Sequence, residues 1–254
     1  LVKAVGHQSV LALAADSMGN LFISTKMKGL MVYNLHSKTL TPLTITGGYI
    51  DDHKSETTSM LVDTKGYLWL SRGMEMLKAR YDGRHLTVMR RYQVFYTMSL
   101  TQGYHDIVWA TSASNRLYAF MPDGAMKECP IYPATFVFMP CALQLRGGGV
   151  LTAAFGQEMV EVDPLKMSGR KWDVDKADWE RCLPRSVFIP TALYEDAAGQ
   201  VFVGTVTNGL MRISPDHRSA ARVEGLSCKD ISAIEPDSKG NIWVSTMYGL
   251  NRIE

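Results

Sequence analysis

No apolar run in this sequence approaches the roughly 20 residues that a membrane-crossing helix needs, so the segment is expected neither to span a bilayer nor to contact one. Charge of one sign is also missing. The 27 Lys and Arg stand against 25 Asp and Glu, a formal net charge of +2, and the basic residues are scattered. That pattern excludes the one-signed stripe of a nucleic-acid binder. Cysteine is sparse: Cys129, Cys141, Cys182 and Cys228 form no C-x-x-C and have no histidine at zinc spacing, so no metal is expected. Free, partly buried thiols are the expectation, with a Cys129–Cys141 bridge as the alternative. Catalytic spacing is lacking too. There is no G-x-S-x-G elbow, no nucleotide motif and no kinase histidine box, so neither a cofactor nor a kinase activity is implied for these residues. Sustained helical periodicity is absent; the segment from Asp173 to Leu183, in the longest connector, allows one or two turns at most. The chain opens at Leu1 with no Met and no leader, as expected of a mature or excised piece of a longer protein.

What the sequence has is repetition. Six short apolar segments end at Thr25, Arg72, Thr111, Ala154, Thr205 and Thr246, at steps of 47, 39, 43, 51 and 41 residues, the period of a propeller blade. Each is preceded by another short apolar strand. Four of the intervening turns read Asp-x-x-Gly: Asp16/Gly19, Asp63/Gly66, Asp196/Gly199 and Asp237/Gly240. Asp bonds the backbone two residues on and Gly accepts positive φ, so the pair suits a hairpin turn. One carboxylate per turn is too few for calcium, which takes six or more oxygens. A third strand opens on Gly-Leu at Gly29, Gly209 and Gly249, and a more variable fourth strand follows.

A four-stranded unit of this size buries both faces only by stacking on its neighbours. The expected fold is therefore all-β: a β-propeller of six four-stranded blades forming a single domain over residues 1–254. Leu1 to Val5 matches the fourth-strand segment before the last repeat, and the last repeat stops at Glu254 after its third strand. The N-terminal strand is thus expected to complete the last blade and close the ring. A seven-bladed or incomplete propeller is the alternative.

The last copy, with Asp237, Gly240, Asn241, Trp243, Thr246, Gly249, Leu250 and Arg252, resembles the two-component-regulator propeller repeat. Asp196, Gly199, Thr205, Gly209, Leu210 and Arg212 match nearly as well, and the resemblance extends through six copies. It implies the periplasmic sensor region of a hybrid two-component histidine kinase of the Bacteroidetes type. In that family, propellers precede a β-sandwich, a membrane helix and a kinase, and many members sense oligosaccharides. The implied partners are an oligosaccharide or other small ligand and adjacent propeller and sandwich domains, with a homodimer left open.

Trp69, Trp109 and Trp243 recur at one strand position and are expected in the core between blades. Trp172 and Trp179 fall outside the repeat, where they either pack back on their own blade or stack on a sugar. Function is expected where the repeat is broken, on the loops from fourth to first strand and from second to third, which share one face. The ligand-contacting candidates there are Arg72, Tyr96, Asn115, Arg116, Gln157, Asn208 and Tyr248, whose cations, amides and aromatic rings suit sugar hydroxyls and ring faces. Two alternatives remain. One is a purely structural interaction propeller. The other is a metal-assisted lyase or hydrolase, which requires His7, His105 or Glu75 to converge on the axis.

Overall fold

The structure is a computed structural model that describes residues 9–47, 56–131, 138–156, 159–183 and 187–253. The architecture is all-β, with the six successive antiparallel sheets of a six-bladed β-propeller. Blade one holds β1 (Val10–Ala15), β2 (Asn20–Thr25), β3 (Gly29–Asn34) and β4 (Thr39–Pro42). After the short β5 (Thr44–Thr46), blade two holds β6 (Thr57–Val62), β7 (Tyr67–Arg72), β8 (Glu75–Tyr81) and β9 (His85–Gln93). Blade three holds β10 (Thr97–Gln102), β11 (Val108–Ser112), β12 (Arg116–Phe120) and β13 (Met126–Pro130). Blade four holds β14 (Cys141–Gln144), β15 (Val150–Ala153), β16 (Val160–Asp163) and β17 (Ser168–Lys171). Blade five follows with β18 (Pro190–Glu195), β19 (Val201–Thr205), β20 (Leu210–Ile213) and β21 (Ala220–Val223), and blade six with β22 (Ile231–Pro236), β23 (Ile242–Thr246) and β24 (Gly249–Ile253).

Two blades depart from four strands. Blade two gains β5, which runs parallel along β9, and blade six has three strands among the described residues. The expected closing strand, Leu1 to Val5, lies outside the described residues. The helical segment in the connector is a two-turn helix, α1 (Lys176–Cys182), whose Asp175 cap accepts from Asp178 N at 3.0 Å.

The Asp-x-x-Gly turns act as clamps. One carboxylate oxygen of Asp16, Asp63, Asp196 and Asp237 takes two backbone N–H groups, two and four residues on. The other oxygen takes a side-chain donor: Asn20, Trp69 and Gln200 at the first three turns, and both Asn241 and Trp243 at the last. Blade three shows what happens without the acid. Gly103 N donates to Ile107 O at 2.8 Å, as Asp63 N does to Tyr67 O at 2.9 Å, so Gly103 stands where the clamp would be. Trp109 Nε1, six residues on, is buried with no hydrogen-bond partner among the described residues.

Threonine locks the other end of the second strand. Thr25 Oγ1 accepts from Lys28 N and donates to Gly29 O; Thr205 does the same for Asn208 N and Gly209 O, and Thr246 for Tyr248 N and Gly249 O. In five blades the register between first and second strand slips by one residue at this end, a recurrent bulge that re-aims the strand end. That register corrects the third copy by one position. Ser112 stands opposite Thr97, as Arg72 stands opposite Thr57, so Ser112 and not Thr111 ends the motif. The correction sets Trp109 three residues before the strand end, level with Trp69.

The chain divides into two compact units, Leu1–Ser114 with Tyr118–Lys127, and Asn115–Leu117 with Glu128–Glu254. In the first unit, Phe22, Val32, Met60, Leu70 and Leu86 form one core cluster. A second joins Trp69 to Phe120 and Tyr92, with ring centroids 5.2 and 6.0 Å away. In the second unit, Leu151, Met159, Cys182, Phe188 and Met211 form the larger cluster, and Phe202, Ile231 and Val244 belong to another. All four cysteines are free. Trp172 and Trp179 pack on their own unit: Trp172 donates to Glu161 and stacks on His217 with centroids 3.7 Å apart, and Trp179 meets Phe188 edge-on.

Candidate functional site

Within the first unit, a cleft of about 410 Å³ opens at the lock end of blades one and two, inside the size range of small-ligand sites. Its walls come from the β2–β3 turn (Thr25 to Gly29), the passage from β4 to β5 (Pro42 to Ile45), the start of β6 (Glu56, Thr57) and the end of β7 (Arg72). These are the two loop classes singled out from sequence. Ser24 Oγ donates to Thr57 O at 2.7 Å, pinning one wall to the other, and Leu43 N donates to Leu30 O at 2.9 Å. Gly29 ends the β2–β3 turn at φ +68°, and Lys26, Met27 and Lys28 of that turn stand in solvent.

Arg72 matters most here. It replaces the locking threonine, so blade two exchanges a turn hydroxyl for an arginine that is only 6% exposed. Among the described residues that line the cleft, Arg72, Lys26 and Lys28 are the cations and Glu56 the carboxylate. Polar ends over the apolar patch of Leu30, Leu43 and Ile45 suit a ligand that is polar at its rim and apolar on one face, as a sugar ring is.

Of the six candidates among the described residues, Arg72 alone lines this cleft. Tyr96 is 53% exposed at φ +22°, its ring edge-on to Phe95 and its carbonyl accepting from Ala113 N. In the second unit, Asn115 takes the left-handed conformation at φ +65° and accepts from Ile131 N through both its backbone oxygen and its Oδ1. Asn208 is buried inside its turn, donating to Thr207 Oγ1. Both amides therefore have turn-forming partners. Arg116 pairs with Glu128 across β12 and β13. Tyr248 is 77% exposed at the β23–β24 turn, and Gln157 lies outside the described residues. Lys26, Lys28 and Glu56 were not singled out individually; the signal that could have found them was the Lys-Met-Lys turn ahead of the copy whose locking hydroxyl is replaced by a cation.

The acid–base arrangement that a lyase or hydrolase would need is not assembled from His105 and Glu75. His105 lies on the 3₁₀ turn Tyr104–Asp106, beside the Asp63 clamp, since Lys65 Nζ of that clamp is 2.9 Å from Asp106 Oδ2. Glu75 sits past the opposite end of β7, paired with Arg91 at 2.7 Å. Six strand residues separate those ends, roughly 20 Å at the usual rise. His7 lies outside the described residues, and among the described residues no group of three or more His, Cys, Asp or Glu could hold a metal.

Comparison with known proteins gives three findings. Residues 225–248 match the family described as Two component regulator propeller. No curated protein matches. Among solved structures, the chain is similar to the extracellular domain assigned to a hybrid two-component system of B. thetaiotaomicron, with TM-score 0.73, 16% identity, and 96% of this chain on 32% of that one. It is also similar to virginiamycin B lyase from Staphylococcus aureus, with TM-score 0.74, 12% identity, and coverage of 96% and 80%. A third is the Dos1 propeller, with TM-score 0.66, 11% identity, and coverage of 94% and 66%. At these identities the likeness establishes the fold. The chain spans about a third of the length of the two-component extracellular domain.

Proposed function

We propose, from a propeller of the two-component-regulator type, that this chain is the ligand-binding segment of a periplasmic sensor. In this reading it binds an oligosaccharide without chemically changing it and passes the signal to a kinase module outside these residues, with neighbouring propeller and sandwich domains as its docking partners. The observation that carries the reading is the cleft beside Arg72, where a repeat-locking threonine is replaced by a buried cation within a family-like series of repeats. Binding moves a sensor only if the ligand has different affinities for its two states, and a ligand held where blades adjoin would have them if those blades shift. Blades one and two meet at the Ser24–Thr57 bond.

Glycan-array screening followed by calorimetry tests this. A glycan ligand is expected, and Lys28→Ala, on an exposed turn, is expected to weaken it roughly tenfold, the usual effect of losing a charged hydrogen bond. No response to any glycan, with tight binding to another propeller domain instead, would reassign the chain as a scaffold. A lyase reading draws on the structural likeness to virginiamycin B lyase. Mass-spectrometric detection of a new product from the bound glycan would replace sensing with catalysis.

A further inference from the structure

At the clamp end of the first unit, a cavity of about 170 Å³ lies between the outer strands of blade two and the β12–β13 turn. Trp69, Lys78 and Arg90 form a row across three strands, Lys78 paired with Trp69 on one side and with Arg90 on the other. Two cations directly opposite each other repel and destabilise a sheet unless something neutralises them. Neither has a carboxylate partner among the described residues. Lys78 Nζ lies over the rings of Tyr67 and Trp69, at 4.3 and 5.1 Å. Arg90 lies over Tyr92 at 5.6 Å and reaches only the backbone carbonyl of Asp123, at a long 3.4 Å. The Asp123 carboxylate, also at the cavity, accepts from Ala125 N.

Tyr92 lines the same cavity. Its side chain is more than nine-tenths buried, and its hydroxyl has no hydrogen-bond partner among the described residues. A buried hydroxyl without a partner costs free energy that a ligand would recover. Gly124 allows the approach: a Cβ there would collide with the Arg90 guanidinium.

We propose that this cavity binds a tetrahedral oxyanion, sulfate or phosphate, as a free ion or a monoester. Lys78 and Arg90 supply the charge and Tyr92 a hydroxyl donor. A guanidinium fork, an ammonium and a hydroxyl present donors of different geometry, which an anion with three or four oxygens satisfies better than a carboxylate with two. The site is separate from the cleft at Arg72, which lies at the other end of the strands of blade two.

The test uses the whole chain and millimolar sodium sulfate or phosphate against sodium chloride at matched ionic strength. The melting midpoint and tryptophan fluorescence are followed, since Trp69 lies beneath Lys78. A saturable rise in the midpoint is expected with sulfate or phosphate. Lys78→Gln and Arg90→Gln should each weaken it roughly tenfold or more, and Tyr92→Phe by a smaller factor. In chloride, Lys78→Gln should be no less stable than the parent, because removing one of two opposed cations relieves repulsion. Should Arg90→Gln fail to fold, Lys78→Gln and Tyr92→Phe carry the test. A sulfated monosaccharide binding more tightly than inorganic sulfate would identify an ester as the ligand, and equal binding a free ion. An equal shift in chloride, or one undiminished in Lys78→Gln, would overturn the proposal.

Discussion

Gly103→Asp is the sharpest probe of how the blades are held. Trp109 is 1% exposed and its Nε1 has no partner among the described residues, whereas Trp69 and Trp243 donate to Asp63 and Asp237 at 2.8 and 3.0 Å. Gly103 holds the clamp position by backbone register, at φ −98° and ψ −178°, extended backbone that any residue adopts. A carboxylate placed there starts from the same point as Asp63. Satisfying a buried N–H recovers about 1–3 kcal/mol. Replacing glycine at a compatible conformation adds about 0.4–1 kcal/mol by narrowing the unfolded ensemble. Against the cost of partly desolvating the new acid, a net gain of about 1–2 kcal/mol is expected, or about 2–8 °C in the melting midpoint for a chain of this size.

Two controls separate the causes. Gly103→Ala carries the backbone part alone, so the difference between the Asp and Ala variants belongs to the carboxylate. In a Trp109→Phe background that difference should vanish, the sign of a direct pairwise coupling. The gain should also fade as pH falls below about 4, as a clamped carboxylate protonates. Calorimetry or urea titration reads each variant. The reasoning fails if Gly103→Asp is no more stable than Gly103→Ala, or if its advantage survives without the indole N–H.

Two further predictions concern the same framework. Gly204→Ser should destabilise by about 1–3 kcal/mol, because the new Cβ would stand 2.6 Å from Ile231 Cγ2 in the packed interface of blades five and six; an unchanged urea midpoint would refute this. Asp237 is held down to about 2, first by the Asn241 amide and then by the Trp243 indole, so the folded state binds fewer protons than the unfolded one. Its stabilisation is then complete above about pH 4 and lost as pH falls toward 2, and Asp237→Asn should flatten the loss. Thermal melts between pH 2 and 5 check it.

Much of the fold was legible because each rule repeats locally. Alternating apolar strands, Asp-x-x-Gly turns and the Thr-to-Gly lock all act within about ten residues, so six copies reinforce one reading. The weaker points were those the local rules do not reach. In blade three, aligning on Thr111 instead of Ser112 misplaced the strand end by one residue, since a bulge is visible only as pairing across strands. Asn115 and Asn208 read as ligand groups because amides suit sugars; the structure also gives both turn partners, as left-handed and tightly turned backbones favour Asn. The cleft at Arg72 was only half legible. The broken lock was visible, but the lysines facing it come from the preceding blade, and that adjacency is set by stacking.

Buried polar atoms without partners sort these effects. Trp109 Nε1 is orphaned where the clamp Asp is replaced by Gly103. Thr191 Oγ1 is orphaned where blade five has Gly204, while the equivalent Thr58 and Ser232 meet Ser71 and Ser245 at 3.0 and 2.8 Å. Both are partners lost within the repeat; Gly103→Asp could restore the first, whereas Ile231 packed on Gly204 closes off the second. Tyr92 differs. Its hydroxyl sits on a fourth strand, where the copies diverge and no internal partner recurs, beside two opposed cations and a cavity. A repeat that has merely decayed accounts for the first two atoms, but it gives no reason for two opposed cations to line one cavity with the third.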